Sequence, residues 1–446
     1  MNGSRTFGRG GVHPRDRKEG TSRMPIKNAH IPAVAVIPLS QHTGAPAQCL
    51  VNPGDEVKEG MLIARAAGFI SANIHSPVPG RVKDVKDMML PQGVVCRAVT
   101  IECAGEFDRS GKILEKQAWE NMDGQTLNGL IADMGVVGLG GAAFPAHVKY
   151  TVHREKPIGV LVINGVECEP FLTVDHRLML EKPDEIVEGA QIIRKITGAD
   201  RVVFAVEENK PDAIEVLTEK ITEKQLPFTV MSLRVRYPQG DEKMVLKAVL
   251  NREVPSGGLP LDVGAVVANV HTVLAVYEAV VWRKPLIERV VTVTGGALHQ
   301  PSNIKARIGT KIGELLEDCG GFSEPPAKIV LGGPMMGLAV ADPETPLVKG
   351  VSGIVALSRK ETAPYAGTPC IRCGRCLHVC PWGLLPTILF TLIEYGLYEK
   401  ALQSGLMDCK ECGCCAYVCP SRIPLVHSFK VGKIMARLRQ SGKAAS

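Results

Sequence analysis

The amino-acid sequence predicts a multidomain α/β protein, and three observations support that prediction. The chain has 446 residues, 45% of them hydrophobic, which is enough for roughly two to four domains with cores of their own. Short apolar strands alternate with amphipathic helices between residues 126 and 285, a pattern typical of a parallel sheet with crossover helices. Near the C-terminus one cysteine spacing occurs twice, which indicates a further small domain that binds metal.

Both ends of the chain are basic. Residues 1–30 hold seven basic and two acidic residues, and residues 421–446 hold six basic residues and no acid, whereas the whole chain has a net charge of only +6. We therefore expect a basic arm over residues 1–30 and a basic tail over residues 431–446. Basic termini can dock on anionic lipid or on an acidic partner, or can be solvated tails that bind nothing, and charge alone leaves these alternatives open.

Composition disfavours two classes of function. Nucleic-acid binding is not expected because no basic run is interleaved with aromatic residues, which make up 4% of the chain. A membrane span is not expected either, since the most apolar stretch, residues 265–282, contains Asn269, His271 and Glu278. The N-terminus lacks the apolar core of a signal peptide, so we expect the fourteen cysteines in a reducing cytoplasm, where clustered cysteines usually bind metal.

The most specific motif is the cysteine run C-x2-C-x2-C-x3-C-P, which occurs at residues 370–381 and again at 409–420. This spacing is typical of domains with two 4Fe-4S clusters, in which the fourth cysteine of each run ligates the other cluster. The crossed rule divides the eight cysteines into a first set, Cys370, Cys373, Cys376 and Cys419, and a second set, Cys409, Cys412, Cys415 and Cys380. A pair of zinc sites is the alternative, but zinc usually takes two cysteine pairs or cysteine with histidine.

The segment between the two cysteine runs predicts a helix, because its apolar residues recur at helical spacing: Leu385, Ile388, Leu389, Leu392 and Ile393. We expect these five side chains to form a core, and the extra thiol of Cys414 to pack beside a cluster. The arrangement resembles an α-helical ferredoxin domain, which would cover residues 360–430. Two adjacent clusters would conduct electrons one at a time.

Glycines are concentrated in one loop of the α/β region, residues 136–150, which read VVGLGGAAFPAHVKY. In a parallel α/β sheet, ligands bind at the carboxyl ends of the strands, where backbone N–H groups face phosphates. Residues 164–177 and 237–244 have the composition of two further loops of this kind. A glycine cluster also serves tight turns that bind nothing, so this loop alone leaves a phosphate cradle and a turn as alternatives.

In order along the chain, these segments resemble the motifs of the NADH-oxidising flavoprotein subunit of respiratory complex I. The glycine loop matches at Gly138, Gly140, Gly141, Phe144, Pro145, Lys149 and Tyr150. The second motif matches at Asn164, Glu167, Glu169, Pro170, Asp175 and Arg177. The third matches at Gly240, Asp241 and Glu242, followed by Asn269, Val270, His271 and Thr272. The chain departs from the family pattern at Leu139, Ala143 and Val166.

The resemblance implies a Rossmann-like domain over residues 126–285 that binds FMN and takes NAD(H) as substrate. It places the phosphates of FMN and the nucleotide on Gly138, Gly140, Gly141 and Lys149, with Phe144 in the same loop. Asn164 and Asn269 would hydrogen-bond the flavin, Glu167 and Glu169 would face the nicotinamide ribose, and the site would be completed by Gly240, Asp241 and Glu242. The structural alternative is that Lys149 is a solvated surface lysine and that the two glutamates cap the start of a helix.

The remaining segments resemble two small β domains. Residues 31–105 resemble a biotinyl/lipoyl-like barrel-sandwich, but the central hairpin has the sequence AAGF where a carrier domain needs an exposed lysine, so no swinging cofactor is expected. Residues 286–345 resemble the soluble ligand-binding β-grasp (SLBB) module that follows the flavin domain in complex I. We expect this module to pack against its neighbours rather than to bind a ligand.

The order of these domains resembles the RnfC subunit family of Rnf complexes. The resemblance implies a peripheral subunit on the cytoplasmic side of the cell membrane, in contact with the membrane through the other Rnf subunits. Such a subunit would pass electrons between NAD(H), FMN and two 4Fe-4S clusters, in a ferredoxin:NAD oxidoreductase coupled to sodium or proton transport. FMN is needed because a hydride carries two electrons and a cluster accepts one, and no side chain is predicted as a catalytic acid or base.

Two other functions stay open from the sequence. A cobalamin reductase of propanediol-degrading compartments would share the flavin and cluster domains, but it lacks a leading barrel-sandwich. A protein of another class would be an iron–sulfur relay without nicotinamide chemistry, in which the glycine loop is only a turn. The substitutions at Ala143 and Val166 keep that second alternative open.

Overall fold

The computed structural model describes residues 5–107, 115–151, 155–362 and 367–444. Parts of the predicted arm and tail, residues 1–4 and 445–446, lie outside the described residues, as do residues 152–154 and 363–366 of two predicted domains. None of the helices in the described ranges combines the length and apolar composition that crossing a membrane requires.

The barrel-sandwich domain consists of two small antiparallel sheets packed face to face. The sheets have the strand orders β2-β8-β7-β4 and β3-β5-β6. The strands are β2 (Val34–Pro38), β3 (Gln48–Cys49), β4 (Glu56–Val57), β5 (Leu62–Arg65), β6 (Ile74–His75), β7 (Gly80–Met89) and β8 (Val95–Cys103). Alternating side chains such as Ile37, Ile63 and Val99 point inward and form the core, as the period of a strand requires. All seven strands lie between residues 31 and 105.

The α/β domain has a four-stranded parallel sheet with helices on both faces. Its strands are β9 (Val160–Gly165), β10 (Arg201–Glu207), β11 (Phe228–Leu233) and β12 (Ala265–Asn269). Its helices are α1 (Gly124–Asp133), α2 (Ala146–Tyr150), α3 (Val174–Glu181), α4 (Pro183–Thr197), α5 (Pro211–Glu223), α6 (Glu242–Leu250) and α7 (Val270–Val281). Helix α4 shows why these residues form helices: proline at the first position, acids in the first turn, bases in the last and a left-handed Gly198 after it.

The β-grasp module is a mixed sheet of six strands with one helix. Its elements are β13 (Glu288–Thr294), β14 (Ser302–Arg307), α8 (Ile312–Glu317), β15 (Lys328–Leu331), β16 (Leu338–Val340) and β17 (Gly353–Leu357). The strand order is β1-β14-β13-β17-β15-β16, where β1 (Lys27–Asn28) comes from the N-terminal arm. The predicted boundary at residue 345 therefore falls short, because the buried strand β17 pairs with both β13 and β15.

The cysteine domain is helical. It contains α9 (Arg375–His378), α10 (Pro386–Glu394), α11 (Tyr398–Gln403), α12 (Cys414–Tyr417) and α13 (Leu425–Ala444). The expected helix between the cysteine runs is present as α10, and its Leu389 and Ile393 are buried in the core with residues of α13. The expectation of a core position is wrong for Leu385, which directly precedes α10, and for Ile388 in its first turn, because the described residues leave each of them 48% exposed.

The two basic termini form ordered parts of the fold. Helix α13 runs through the predicted boundary at residues 430 and 431, so the predicted tail is helical as far as Ala444. Residues 5–28 of the arm pair with the chain itself, through Arg5 with Leu233, Val12 with Tyr237, and β1 with β14. Charge did not predict that the arm would pair with the rest of the chain. Basic side chains of the arm, those of Arg5, Arg9 and Lys18, donate to backbone carbonyls of distant segments.

Candidate functional site

Two asparagines stand side by side at the carboxyl edge of the parallel sheet. Asn164 lies in β9 and Asn269 ends β12, and the two residues are partners in the strand register. The sheet has the order β11-β10-β9-β12, so the chain adds β10 and β11 on one side of β9 and then adds β12 on its other side. A doubly wound sheet binds ligands in the crevice at this kind of switch point, so the topology places both predicted flavin-contacting asparagines at the expected site.

The carboxamides of both asparagines position the loops around this edge. Asn164 donates to the Gly240 carbonyl (3.0 Å) and accepts from the Val166 amide (3.1 Å). The Asn269 oxygen caps helix α7 by accepting from the amides of His271 and Thr272, and its nitrogen donates to Asp175 (2.6 Å). A direct contact of either side chain with a flavin stays a prediction.

The glycine loop runs across this edge and leaves backbone amides free. No hydrogen bond joins the amides of Gly140, Gly141 and Ala142 to another group within the described ranges, and all three residues are exposed. A Cβ on Gly140 would lie 3.2 Å from the Cβ of Asn269, whereas nothing lies within 4 Å of a Cβ on Gly141. Consecutive unpaired amides form a concavity that suits an anion, so this loop fits the phosphate of FMN or of a nucleotide.

Three domains hold the glycine loop in place. From the α/β domain, Thr272 accepts from the Leu139 amide (2.8 Å), and from the β-grasp module Arg289 donates to the Leu139 carbonyl (3.4 Å). From the barrel-sandwich domain, the hydroxyl and amide of Thr43 donate to the carbonyls of Ala142 (2.8 Å) and Ala143 (3.1 Å). The Gly138 amide donates to Phe144 (2.8 Å), which closes the loop. Its backbone is therefore arranged before any ligand binds.

Charged side chains flank the loop. Lys149 on α2 forms an ion pair with Glu242 on α6, and both side chains are about one-third exposed. Asp241 caps α6 by accepting from the amides of Lys243 and Met244. Lys149 is therefore not the freely solvated lysine of the structural alternative, and a bound phosphate would compete with Glu242 for it.

The eight predicted cluster ligands form two groups in space, each drawn from both cysteine runs. The second set, Cys409, Cys412, Cys415 and Cys380, lines one cavity. In the first set, burial raises the pKa of the Cys376 thiol, and the neighbouring thiols of Cys419, Cys370 and Cys373 raise it further. This proximity agrees with the crossed sets, whose role as cluster ligands stays a prediction.

The donors in each group suit an iron–sulfur cluster. Four thiols meet in each, and backbone amides donate to two sulfurs of the second set, from Leu384 to Cys380 (3.3 Å) and from Glu411 to Cys409 (3.4 Å). Within the described ranges no three His, Cys, Asp or Glu side chains converge closely enough to hold a single metal ion. A cubane makes a different demand, because each of its four thiolates binds a separate iron.

The second set lies directly against the carboxyl edge of the parallel sheet with its loops, which we call the cofactor edge. The Tyr237 hydroxyl donates to the Cys412 carbonyl (2.7 Å), and the Gly240 amide donates to the Cys168 sulfur (3.2 Å). Cys168, Tyr237, Cys412 and Cys414 share one apolar cluster. Cys414 is 1% exposed, as expected of a thiol that packs beside a cluster.

Comparison with known proteins gives matches along almost the whole chain. Four family models match in order: RnfC Barrel sandwich hybrid domain (6–106), Nuo51 FMN-binding domain (131–278), SLBB domain (290–339) and 4Fe-4S dicluster domain (369–423). A subunit of the proton-translocating ferredoxin:NAD(+) oxidoreductase complex of Clostridium ljungdahlii is 44% identical over 90% of this chain and 87% of that relative. The chain belongs to the RnfC family.

Two further relatives agree. The corresponding subunit of the ion-translocating oxidoreductase complex of Rhodobacter capsulatus is 43% identical over 98% of this chain and 84% of its own length. That of the Na(+)-translocating ferredoxin:NAD(+) oxidoreductase complex of Acetobacterium woodii is 38% identical over 97% and 98%. The matches confirm the predicted domain types, and with them FMN and 4Fe-4S clusters as cofactors. The barrel-sandwich match also sets the cobalamin reductase alternative aside.

The two acidic residues assigned to the nicotinamide ribose have structural partners in this RnfC chain. Glu167, with a side chain 3% exposed, accepts from the amides of Asp175 (2.7 Å) and His176 (3.3 Å), so it caps helix α3 as the structural alternative stated. Glu169 accepts from the amides of Met335 and Met336 in the β-grasp module. Burial raises the pKa of the Glu169 carboxyl to about 7. Their contact with a nicotinamide ribose stays a prediction.

A buried polar group beneath the glycine loop was not assigned from the sequence. Burial first, and Glu167 second, raise the pKa of Asp175 to about 7, while burial lowers the pKa of Arg289 to about 9. Asp175 matches the second motif in the sequence, but the motif match gave it no role in the site. Arg289 and Thr43 belong to other domains, and no local signal connects them with the loop.

Proposed function

We propose that this RnfC chain is the NAD(H)-binding electron-transfer subunit of a membrane-bound Rnf complex, a ferredoxin:NAD oxidoreductase coupled to ion transport. The names of its relatives supply the activity of the whole complex. The observation that supports the role of this chain is the contact from Tyr237 to Cys412, which joins the cofactor edge to a predicted cluster. A site for two-electron chemistry thus adjoins a site for one-electron transfer.

The residues of the α/β domain would bind and orient the cofactor. The free amides of Gly140, Gly141 and Ala142, together with Lys149, would hold phosphate at the sheet edge, and Asn164 and Asn269 would fix the surrounding loops. Bound FMN supplies the chemistry that links a hydride from NADH to single electrons. The protein contributes position and electrostatics, and no side chain needs to act as acid or base.

The burial of the cysteines favours an order of electron transfer. The second set lies against the cofactor edge, so it would exchange electrons with the flavin first. In the first set, Cys370 and Cys373 are exposed, and Ile371 between them is 66% exposed. A redox partner can approach that cluster from solvent, so the first set would exchange electrons with another subunit.

The partners would be the other Rnf subunits, and membrane contact would be made through them on the cytoplasmic side. We expect the protein to reach the membrane only in their presence, since its relatives are named as subunits of ion-translocating complexes. Flotation with vesicles, with and without the partner subunits, would test this. Binding to vesicles by the chain alone would contradict it.

Anaerobic purification followed by NADH addition tests the proposal. The expected result is about eight irons and one FMN per chain, with flavin and cluster absorbance both bleached by NADH. Lys149→Ala should weaken FMN binding roughly tenfold to a hundredfold, the value of one charge-assisted contact. Lys156→Ala is the matched control, because Lys156 also pairs with a carboxylate, Asp262, but lies away from the loop.

One observation favours a second candidate, an iron–sulfur relay without nicotinamide chemistry. The oxygens of Glu167 and Glu169 are already used by backbone amides, and the adjacent Val166 is fully buried. Eight irons per chain with no flavin and no response to NADH would establish the relay and overturn the main proposal.

A further inference from the structure

The N-terminal arm passes between the α/β domain and the cysteine domain. On the α/β side, the Arg236 guanidinium stacks on the Phe7 ring at 4.6 Å and donates to the carbonyls of Phe7 (3.0 Å) and Gly10. Val12 and Tyr237 exchange backbone hydrogen bonds, each of 2.9 Å. Phe7 is almost completely buried. This part of the arm is thus fixed to the segment that leads into the cofactor edge.

On its other side the arm contacts the loop that contains Cys380. The Gly11 amide donates to the Val379 carbonyl (2.8 Å), and the Arg9 guanidinium donates to the Trp382 carbonyl (3.3 Å). A Cβ on Gly10 would lie 2.7 Å from the carbonyl carbon and oxygen of Cys380. Gly10 also has a φ of +69°, a conformation that L side chains rarely adopt. Only glycine permits this approach.

Cys380 is far in the sequence from the other three ligands of its set. It belongs to the first cysteine run in sequence but lines the cavity of the second set, apart from the three cysteines that precede it. The other members of the second set, Cys409, Cys412 and Cys415, lie close together in one run and position one another. The loop at 379–383 must therefore be held against them by contacts from elsewhere, and the arm supplies three.

We propose that Arg9, Gly10 and Gly11 are positioning residues for the cluster bound by the second set. They hold the Cys380 loop beside Tyr237, so that the fourth thiolate meets the other three next to the cofactor edge. The inference rests on the proposed function for the identity of the cluster, and it gives the arm a role in assembling the cluster nearest the flavin.

Three glycine variants distinguish the loss of this positioning role from the effect of backbone strain alone. Gly10→Ala introduces both the contact with Cys380 and an unfavourable φ. Gly93→Ala introduces the unfavourable φ alone, because Gly93 has φ +77° and nothing lies within 4 Å of its Cβ. Gly8→Ala introduces neither, although Gly8 lies in the same arm. Each is purified anaerobically as the full chain.

The readouts are iron content, FMN content and the EPR spectrum of the reduced clusters. In Gly10→Ala we expect iron to fall from about eight towards about four per chain, with loss or a shift of one cluster signal and full FMN content. The affected signal should be the one that survives in Cys370→Ser, which lacks a ligand of the first set. Gly8→Ala and Gly93→Ala should match the wild type.

A Gly10→Ala spectrum identical to that of Gly8→Ala, or an equal disturbance of both clusters, would overturn the inference. If Gly10→Ala does not fold, Arg9→Ala decides, because it removes the contact with Trp382 without altering the backbone. It should shift the same signal, and an unchanged spectrum would again refute the role. A wild-type chain that lacks FMN but shows the selective effect would refute the proposed function and leave this inference intact.

Discussion

The two cysteine runs have the same spacing, yet the fold gives them different surroundings. In the run at 370–381 the first two cysteines, Cys370 and Cys373, are exposed, whereas at the same two places in the run at 409–420 Cys409 is half-buried and Cys412 is buried. The second run packs on Tyr237 and Cys168 of the α/β domain, and Val12 of the arm lies in the same apolar cluster. Spacing specifies the ligand chemistry, and the neighbouring domains specify which cluster faces the cofactor and which faces solvent.

The largest effect should come from removing one ligand from each set. Cys412→Ser should leave about four irons per chain and stop NADH from reducing the remaining cluster, because the cluster next to the flavin is lost. Cys373→Ser should also lose about four irons, but NADH should still reduce the cluster that remains. Spectra recorded after NADH addition compare the two variants. Equal reduction of the remaining cluster in both would contradict the proposed order of electron transfer.

The second contrast concerns stability towards air. We expect the cluster of the first set to be lost first, since two of its cysteines, Cys370 and Cys373, are exposed and oxidation follows access. Iron should therefore be released in two phases, and Cys373→Ser should lack the fast one. Iron release at a single rate would contradict the claim that burial protects the cluster of the second set.

The third contrast concerns pH. Burial raises the pKa of Glu169, beside Tyr237, to about 7, so the folded state binds more protons than the unfolded state between about pH 4.3 and 7. Its contribution to the free energy of unfolding should fall as pH rises through that window. Glu169→Gln should remove this dependence in denaturant titrations. Glu361→Gln, which alters a carboxylate that also accepts two backbone amides, should retain it.

The smallest effect should come from the hydroxyl that links the two domains. Tyr237→Phe removes the hydrogen bond to the Cys412 carbonyl and should lower the free energy of unfolding by about 1 kcal/mol. It should shift the EPR signal of the second cluster and leave that of the first unchanged. Tyr398→Phe, a change in the cysteine domain away from the α/β contact, is the control. A shift in both signals would show that Tyr237 acts only through overall stability.

The sequence predicted the domain types and their cofactors, because the cysteine spacing and the order of the glycine and asparagine motifs are signals in short stretches with a fixed geometry. The assignment of individual residues to the clusters and to FMN stays a prediction. Even the departure at Ala143 keeps the conformation of a glycine, with φ +49°. Replacement by glycine should therefore be tolerated there.

What the sequence did not predict depends on contacts between distant residues. Thr43 and Arg289 reach the glycine loop from other domains, and Arg9 to Gly11 reach Cys380 across more than 360 residues of chain. The exposure of Leu385 and Ile388 likewise depends on how other elements pack around the start of α10. Periodicity identifies a helix and its apolar side chains, but not the element that packs against them.

The order of cluster reduction tests the central claim most directly. The holoprotein would be mixed with NADH, frozen at increasing times and examined by EPR, with the signals assigned from Cys373→Ser and Cys412→Ser. We predict that the cluster of Cys409, Cys412, Cys415 and Cys380 is reduced before that of Cys370, Cys373, Cys376 and Cys419. Earlier reduction of the exposed cluster would contradict the account.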